Sequence, residues 1–176
     1  AFNGCNLKNS ARGLVFADGN PKPDVMIVGP MPNADDDRDG LAFSGRQGAM
    51  LERMLQGIGL SRSAVLLTNV IPWRPPGNRV PSPREADICR PFIERQIALA
   101  EPNRLLILGN FAARFFFGGP ETIHQVRGLW REIHIGGRSI PAFATLHPQD
   151  LLSAPISKRL AWQDMLVFHA GFPNKP

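Results

Sequence analysis

Three short, almost unbroken apolar runs constrain this chain more than anything else in it: DVMIVG (24–29), AVLLTNVI (64–71) and NRLLILGN (103–110). Each is bounded by turn residues and too continuous for a strand with one wet face, so each reads as a strand covered on both sides. Helical patterns separate them. GAMLERMLQGIGL (48–60) has apolar residues at helical spacing and glycines toward its end, and SPREADICRPFIERQIALAEP (82–102) opens on a serine cap and reads as a helix despite Pro91. FAARFFF (111–117) reads as a short helix, REIHIGGRSIPAFATLHP (131–148) as a hairpin leading into a last buried strand, and LAWQDMLVFHAGF (160–172) as a closing helix. The alternation predicts an α/β fold: a three-layer α/β/α sandwich on a central, mainly parallel sheet. The length of 176 residues suits a single domain over 1–176.

Composition narrows the function classes. Hydrophobic residues make up 43% and charged residues 20%, as in a globular chain. No apolar run approaches the roughly 18 residues of a membrane span, and no stretch reads as a signal peptide. Two cysteines, Cys5 and Cys89, are too few for a disulfide scaffold, which favours a bacterial cytosol and its nucleoid, or a nuclear compartment, over secretion. The net charge of +5, carried mostly by arginine, suits a polyanionic partner.

In parallel sheets ligands sit beyond the carboxyl ends of the strands. Three unusual loops leave those ends: GPMPNADDDRDGLAFSG (29–45), NVIPWRPPGNR (69–79) and LHPQDLL (146–152). The first carries Asp35, Asp36, Asp37 and Asp39, which suit either a Mg²⁺ or water-activating cluster or a solvated acidic turn. Phe43 is either a core anchor or a stacking surface for a planar ligand. Ser44 and Arg46, in SGRQG, offer a phosphate seat at a helix start. In the second loop, Asn69 at a strand end either reads a base edge or caps its own turn. PPGNR makes a stiff turn that presents Arg74 and Arg79. In the third, His147 is placed by the following proline, either to donate to a developing anion or to make a structural hydrogen bond. Leu151 and Leu152 form an exposed pair able to wedge into a base stack or to pack on the final helix. His124, His134 and His169 show no metal-ligand spacing with the cysteines.

Taken in order, the three loops resemble the uracil-DNA glycosylase superfamily, and most closely its family 4, over roughly Cys5 to Leu166. The family pattern GEAPG, an acidic pair and G-x-PFVG is matched by Gly29-Pro30-Met31-Pro32-Asn33, Asp36-Asp37 and Gly40 to Gly45. The asparagine followed by CRPPGNR is matched by Asn69 and Trp73 to Arg79, and HPS-x-LL by His147 to Leu152. The resemblance implies hydrolysis of the N-glycosidic bond of a uracil flipped out of DNA, leaving an abasic site. No lysine lies in these motifs, so strand cleavage is not implied. By resemblance Phe43 stacks on the base, Asn69 reads O4 and N3–H, His147 donates to O2 and the Leu151 region fills the vacated stack. By the same resemblance Ser44, Arg46, Arg74, Arg79 and Gln149 are expected to hold DNA, and the enzyme is expected to be a monomer.

Two departures from the pattern carry expectations of their own. The four cluster cysteines of family 4 correspond to Phe2, Cys5, Trp73 and Cys89, so no 4Fe-4S cofactor is expected, and Cys5 and Cys89 are remnants of the ligand set. Pro30 replaces the family glutamate and Met31 the residue after it. Asp36 becomes the candidate for positioning water, and Asn33 stands near where C5 of the base would lie. The expected consequence is reduced activity or an altered base choice such as hypoxanthine or xanthine. The alternative is a non-catalytic binder of uracil-containing or damaged DNA. An unrelated nucleotide-binding α/β protein would carry GxGxxG or a P-loop lysine, and neither is present.

Overall fold

The computed structural model describes residues 2–173. Its centre is one six-stranded sheet in the order β1-β3-β2-β4-β6-β5. The strands β2 (Val25–Gly29), β3 (Leu66–Asn69), β4 (Arg104–Leu108) and β6 (Arg138–Thr145) run parallel. Two edges run antiparallel: β1 (Asp18–Gly19) on β3, and β5 (Trp130–Ile135) on β6. The mainly parallel sandwich expected from the sequence is therefore present. The strand expected after the hairpin is the hairpin's own second arm, β6.

The apolar runs behave as their composition requires. All residues of β2 and β3 are buried, and Ile27, Leu67, Leu105 and Leu106 have no exposure at all. Each such side chain contributes roughly 2 kcal/mol of burial free energy. Thr68 turns toward α4 (Pro83–Ala100) and donates to Gln96 at 3.0 Å, so Asn69 turns to the opposite face of the sheet. Helix α4 continues through Pro91 because Cys89, Ile93, Ile97 and Ala100 keep one stripe in the core. It meets α5 (Gly109–Phe117), where Arg90 donates to the Phe115 carbonyl and lies 4.0 Å over its ring. In the other outer layer, α3 (Gly45–Gln56) meets α8 (Lys158–Ala170) where Trp162 lies against Gly57. Buried Asp164 ties α8 to the sheet, accepting from Thr145 and from Arg127, both at 2.8 Å.

Three short helices escaped the sequence reading: α1 (Leu7–Ser10), α2 (Ala34–Asp39) and α6 (Ile123–Val126). A fourth, α7 (Pro148–Ser153), occupies most of the third loop. The acidic segment is not a solvated turn. Asn33 accepts from the Asp36 N–H while Asp36 accepts from the Asn33 N–H, a reciprocal cap that starts α2. Among the described residues, no helix is long and apolar enough to cross a membrane.

Candidate active site at the carboxyl edge of the sheet

The parallel strands β2, β3 and β6 deliver one residue each to a single place. Gly29 and Asn69 are register partners at the ends of β2 and β3. A Cβ on Gly29 would lie 2.5 Å from Asn69 Oδ1 and 2.6 Å from Phe43 Cζ, so the bare glycine is what lets the carboxamide and the ring share that space. His147 follows β6, and its ring centroid lies 6.0 Å from that of Phe43. Phe43, Asn69 and His147, read from three separate loops, therefore converge.

Asn69 is buried, and neither its Nδ2 nor its Oδ1 has a hydrogen-bond partner. Leaving a buried carboxamide unpaired costs a few kcal/mol. Such a group calls for a partner, and a ligand or water that pairs both atoms supplies it.

His147 caps α7. Its Nδ1 accepts from the Gln149 N–H at 3.0 Å, and its own N–H donates to Asp150 Oδ2 at 2.9 Å. A backbone N–H can only donate, so Nδ1 carries no proton and the neutral ring holds its proton on Nε2. Burial lowers the pKa of His147 to about 4, which keeps the ring neutral near pH 7. The cap and the burial together make a fixed, uncharged N–H donor.

Beside His147 opens a cleft of about 690 Å³. Its walls include Pro30, Met31, Asn33, Asp35, Gly109, Asn110, His147 and Gln149. Met31 and Asn33 are on the cleft wall, and the Asn33 side-chain Oδ1 is engaged in capping α2 by accepting from the Asp36 N–H. Asp36 does not line the cleft. It is 2% exposed, and its oxygens accept from the Asn33 N–H, the Ser44 N–H and the Ser44 hydroxyl. Burial raises its pKa against those hydrogen bonds. The carboxylate facing the cleft is its neighbour Asp35, bridged to Arg38 at 3.1 Å. No signal in the run of aspartates distinguished the two, because helix α2 decides which one turns outward.

Three further expectations need correction. Leu151 is 1% exposed and belongs to the core, so it is no wedge, because the first turn of α7 rotates it inward; Leu152 is partly buried against the same core. The Ser44 hydroxyl is committed to Asp36 rather than free for phosphate. Arg79 is paired with buried Glu85 through two hydrogen bonds of 2.7 and 2.8 Å, and this pairing pulls the Glu85 pKa down to about 2. Its guanidinium fork holds the start of α4 rather than standing free. Arg74 donates to Asn78 at 3.0 Å, Arg46 lies on exposed backbone at the start of α3, and Gln149 bridges α7 to α3 through Gln47 at 2.9 Å.

The positions of the family's cluster cysteines do not fit a four-thiolate group. Phe2 stacks on Trp73 at 6.4 Å and meets Phe92 edge-on at 4.8 Å. Cys5 and Cys89 are both buried, and burial together with the neighbouring Cys5 pushes the Cys89 thiol up to about 12, far from the thiolate a metal needs. Among the described residues no group of three or more His, Cys, Asp or Glu could hold a metal ion.

Comparison with known proteins agrees with this geometry. The family model for the uracil DNA glycosylase superfamily matches residues 16–166. A type-4 uracil-DNA glycosylase of Archaeoglobus fulgidus is 37% identical over 155 residues, covering 86% of this chain and 78% of the relative. That of Saccharolobus solfataricus is 32% identical over 177 residues, covering 98% and 82%. That of Thermotoga maritima is 35% identical over 149 residues, covering 84% and 76%. With the motif loops brought together on this sheet and a match across most of its length, the chain belongs to the uracil DNA glycosylase superfamily.

Proposed function

We propose that this protein is a monofunctional glycosylase that removes uracil from DNA, by hydrolysing the bond between the base and its sugar. The observation that carries the reading is the buried Asn69 carboxamide with both polar atoms unpaired, next to Phe43 and the neutral Nε2–H of His147. Extruding a nucleotide from the stack costs roughly a few kcal/mol, which the completed hydrogen bonds and the stacked ring offset. Phe43 stacks on the base. Asn69 Nδ2 donates to O4 and Oδ1 accepts from N3–H. Cytosine presents the reversed pattern and leaves both atoms unpaired again. As the glycosidic bond breaks, negative charge gathers on the leaving base, and His147 Nε2–H donates to O2 without first losing a charge of its own.

Water must then attack the sugar. Pro30 has no group to hold it. Asp36 acts by fixing the Asn33 and Ser44 loops, and Asp35, on the cleft wall, is the carboxylate we assign to the water and the developing sugar cation. The Asp35 carboxylate is shared with Arg38 at 3.1 Å and is not held for water alone, so excision is slower than in family 4 enzymes with the glutamate. No lysine lines the cleft among the described residues, so the product is an abasic site in an intact strand. Arg46 and Arg74 supply backbone contacts to the DNA, and the enzyme works as a monomer. The aromatic contact of Phe2 with Trp73 takes the place of a metal cluster, so the protein works without iron.

The test is alkali cleavage of uracil-containing oligonucleotides after incubation with the protein, His147→Ala and Asp35→Asn. Abasic sites that vanish in the His147 variant support the reading. Tight binding with no excision would favour the non-catalytic alternative, which the loss of a carboxylate at Pro30 makes concrete. Release of hypoxanthine or xanthine instead would reassign the base. Stoichiometric iron with a brown absorbance in anaerobically purified protein would overturn the metal-free reading.

A further inference from the structure

The loop that carries Phe43 is held by a residue from elsewhere in the chain. Phe43 has φ of +54°, a left-handed backbone conformation that side chains with a Cβ rarely adopt. Gly48 of α3 presses against it, and a Cβ at Gly48 would collide with the Phe43 carbonyl. Near it lies Arg62, on the loop between α3 and β3, whose Nη1 would lie 3.6 Å from that Cβ. Its Nη1 donates to the Phe43 carbonyl at 2.7 Å, its Nη2 to the Ala42 carbonyl, and its Nε to Asp18 on β1 at 2.8 Å. The side chain is 19% exposed. Two successive carbonyls aimed at one guanidinium match its rigid fork, and Asp18 fixes the orientation of that fork.

We propose that Arg62 is a positioning residue for base excision. It fixes the peptide units on both sides of Phe43, so that the ring stands against Gly29 beside Asn69 and His147. The inference rests on the reading of Phe43 as the stacking surface for the base. Arg62 touches neither base nor DNA; it acts through Phe43. Lysine has three N–H donors but all on one nitrogen, and without a planar fork it does not reach both carbonyls and Asp18 in this geometry, so Arg62→Lys does not restore the arrangement.

A double-mutant cycle tests this. kcat and KM for a uracil-containing oligonucleotide are measured for wild type, Arg62→Ala, Arg62→Lys, Phe43→Ala and the Arg62→Ala/Phe43→Ala pair. Circular dichroism gives the folded fraction of each. Arg62→Ala is expected to lower kcat/KM by about tenfold to a hundredfold, mostly in kcat, with affinity for abasic DNA unchanged. In the Phe43→Ala background the same change should cost less than about twofold. If Arg62→Ala does not fold, Arg62→Gln keeps a single amide nitrogen in place of the three-nitrogen fork and must show the same non-additivity. Multiplied losses in the pair, rescue by Arg62→Lys, or a loss that tracks the folded fraction would overturn the assignment of Arg62 while leaving the glycosylase reading intact. Absence of uracil release by the wild type would overturn both.

Discussion

Lowering the pH tests the state of His147 directly. In an unfolded chain the imidazole has a pKa of about 6.5, and burial brings it to about 4 in the folded protein. Because the folded pKa lies below the unfolded one, the unfolded chain takes up the proton first as pH falls. The contribution of the buried neutral ring is complete above pH 6.5 and is lost between 6.5 and about 4. At 1.36 kcal/mol per unit, the loss reaches about 2 kcal/mol on going from pH 7.5 to 5.0, and about 3 kcal/mol below pH 4. The assay is urea unfolding of wild type and His147→Gln at both pH values, since glutamine keeps a polar group but does not titrate. The fall in unfolding free energy should be about 2 kcal/mol larger in wild type than in the variant. Single-turnover excision by wild type should show no loss attributable to His147 between pH 8 and 5.5, because the donating ring is neutral throughout. Equal pH dependence in the two proteins, or an imidazole resonance of the folded protein titrating near 6.5, would refute the neutral donor and with it the role given to Nε2–H.

Asn69→Ala should lower kcat/KM for uracil by at least about a hundredfold without lowering the unfolding free energy, because the atoms removed are unpaired and burying them is a cost; parallel kinetics and denaturation decide it, and a large stability loss would mean that the carboxamide has an internal partner. Leu151→Ala should cost about 2–4 kcal/mol in chemical unfolding, as a core truncation does, and a variant as stable as wild type with impaired excision would restore the wedge. Arg79→Ala should lower the thermal midpoint by freeing buried Glu85, while the dependence of DNA affinity on salt keeps its slope; a slope lower by about one unit would make Arg79 a phosphate contact after all.

How much of this could be read from the chain depends on the range of the interaction concerned. The runs 24–29, 64–71 and 103–110 are buried strands because continuous apolar sequence has no other stable place in a short segment, and the parallel sheet follows from the helices between them. Gly29, Asn69 and His147 were recognisable because each closes such a run, and strand ends of a parallel sheet face a common crevice. Family motifs supplied their roles. Local caps were legible in principle, since Asn33 and Asp36 have the spacing of a reciprocal cap, but the density of aspartates around them hid the pattern.

What the tertiary structure alone decided is which way side chains turn and whom they meet. Asp35 faces the cleft and Asp36 the interior because successive residues of α2 point about 100° apart around its axis, and a run of identical residues carries no record of that phase. Leu151 is in the core and Leu152 only partly so for the same reason in α7. Arg79 meets Glu85, and Arg62 meets Phe43, across 6 and 19 positions of chain. Pairings of this kind depend on where the backbone returns. Composition and spacing specify the strands, helices and loops; the packing of the layers selects, among several carboxylates and guanidiniums of equal chemistry, the few that face the site.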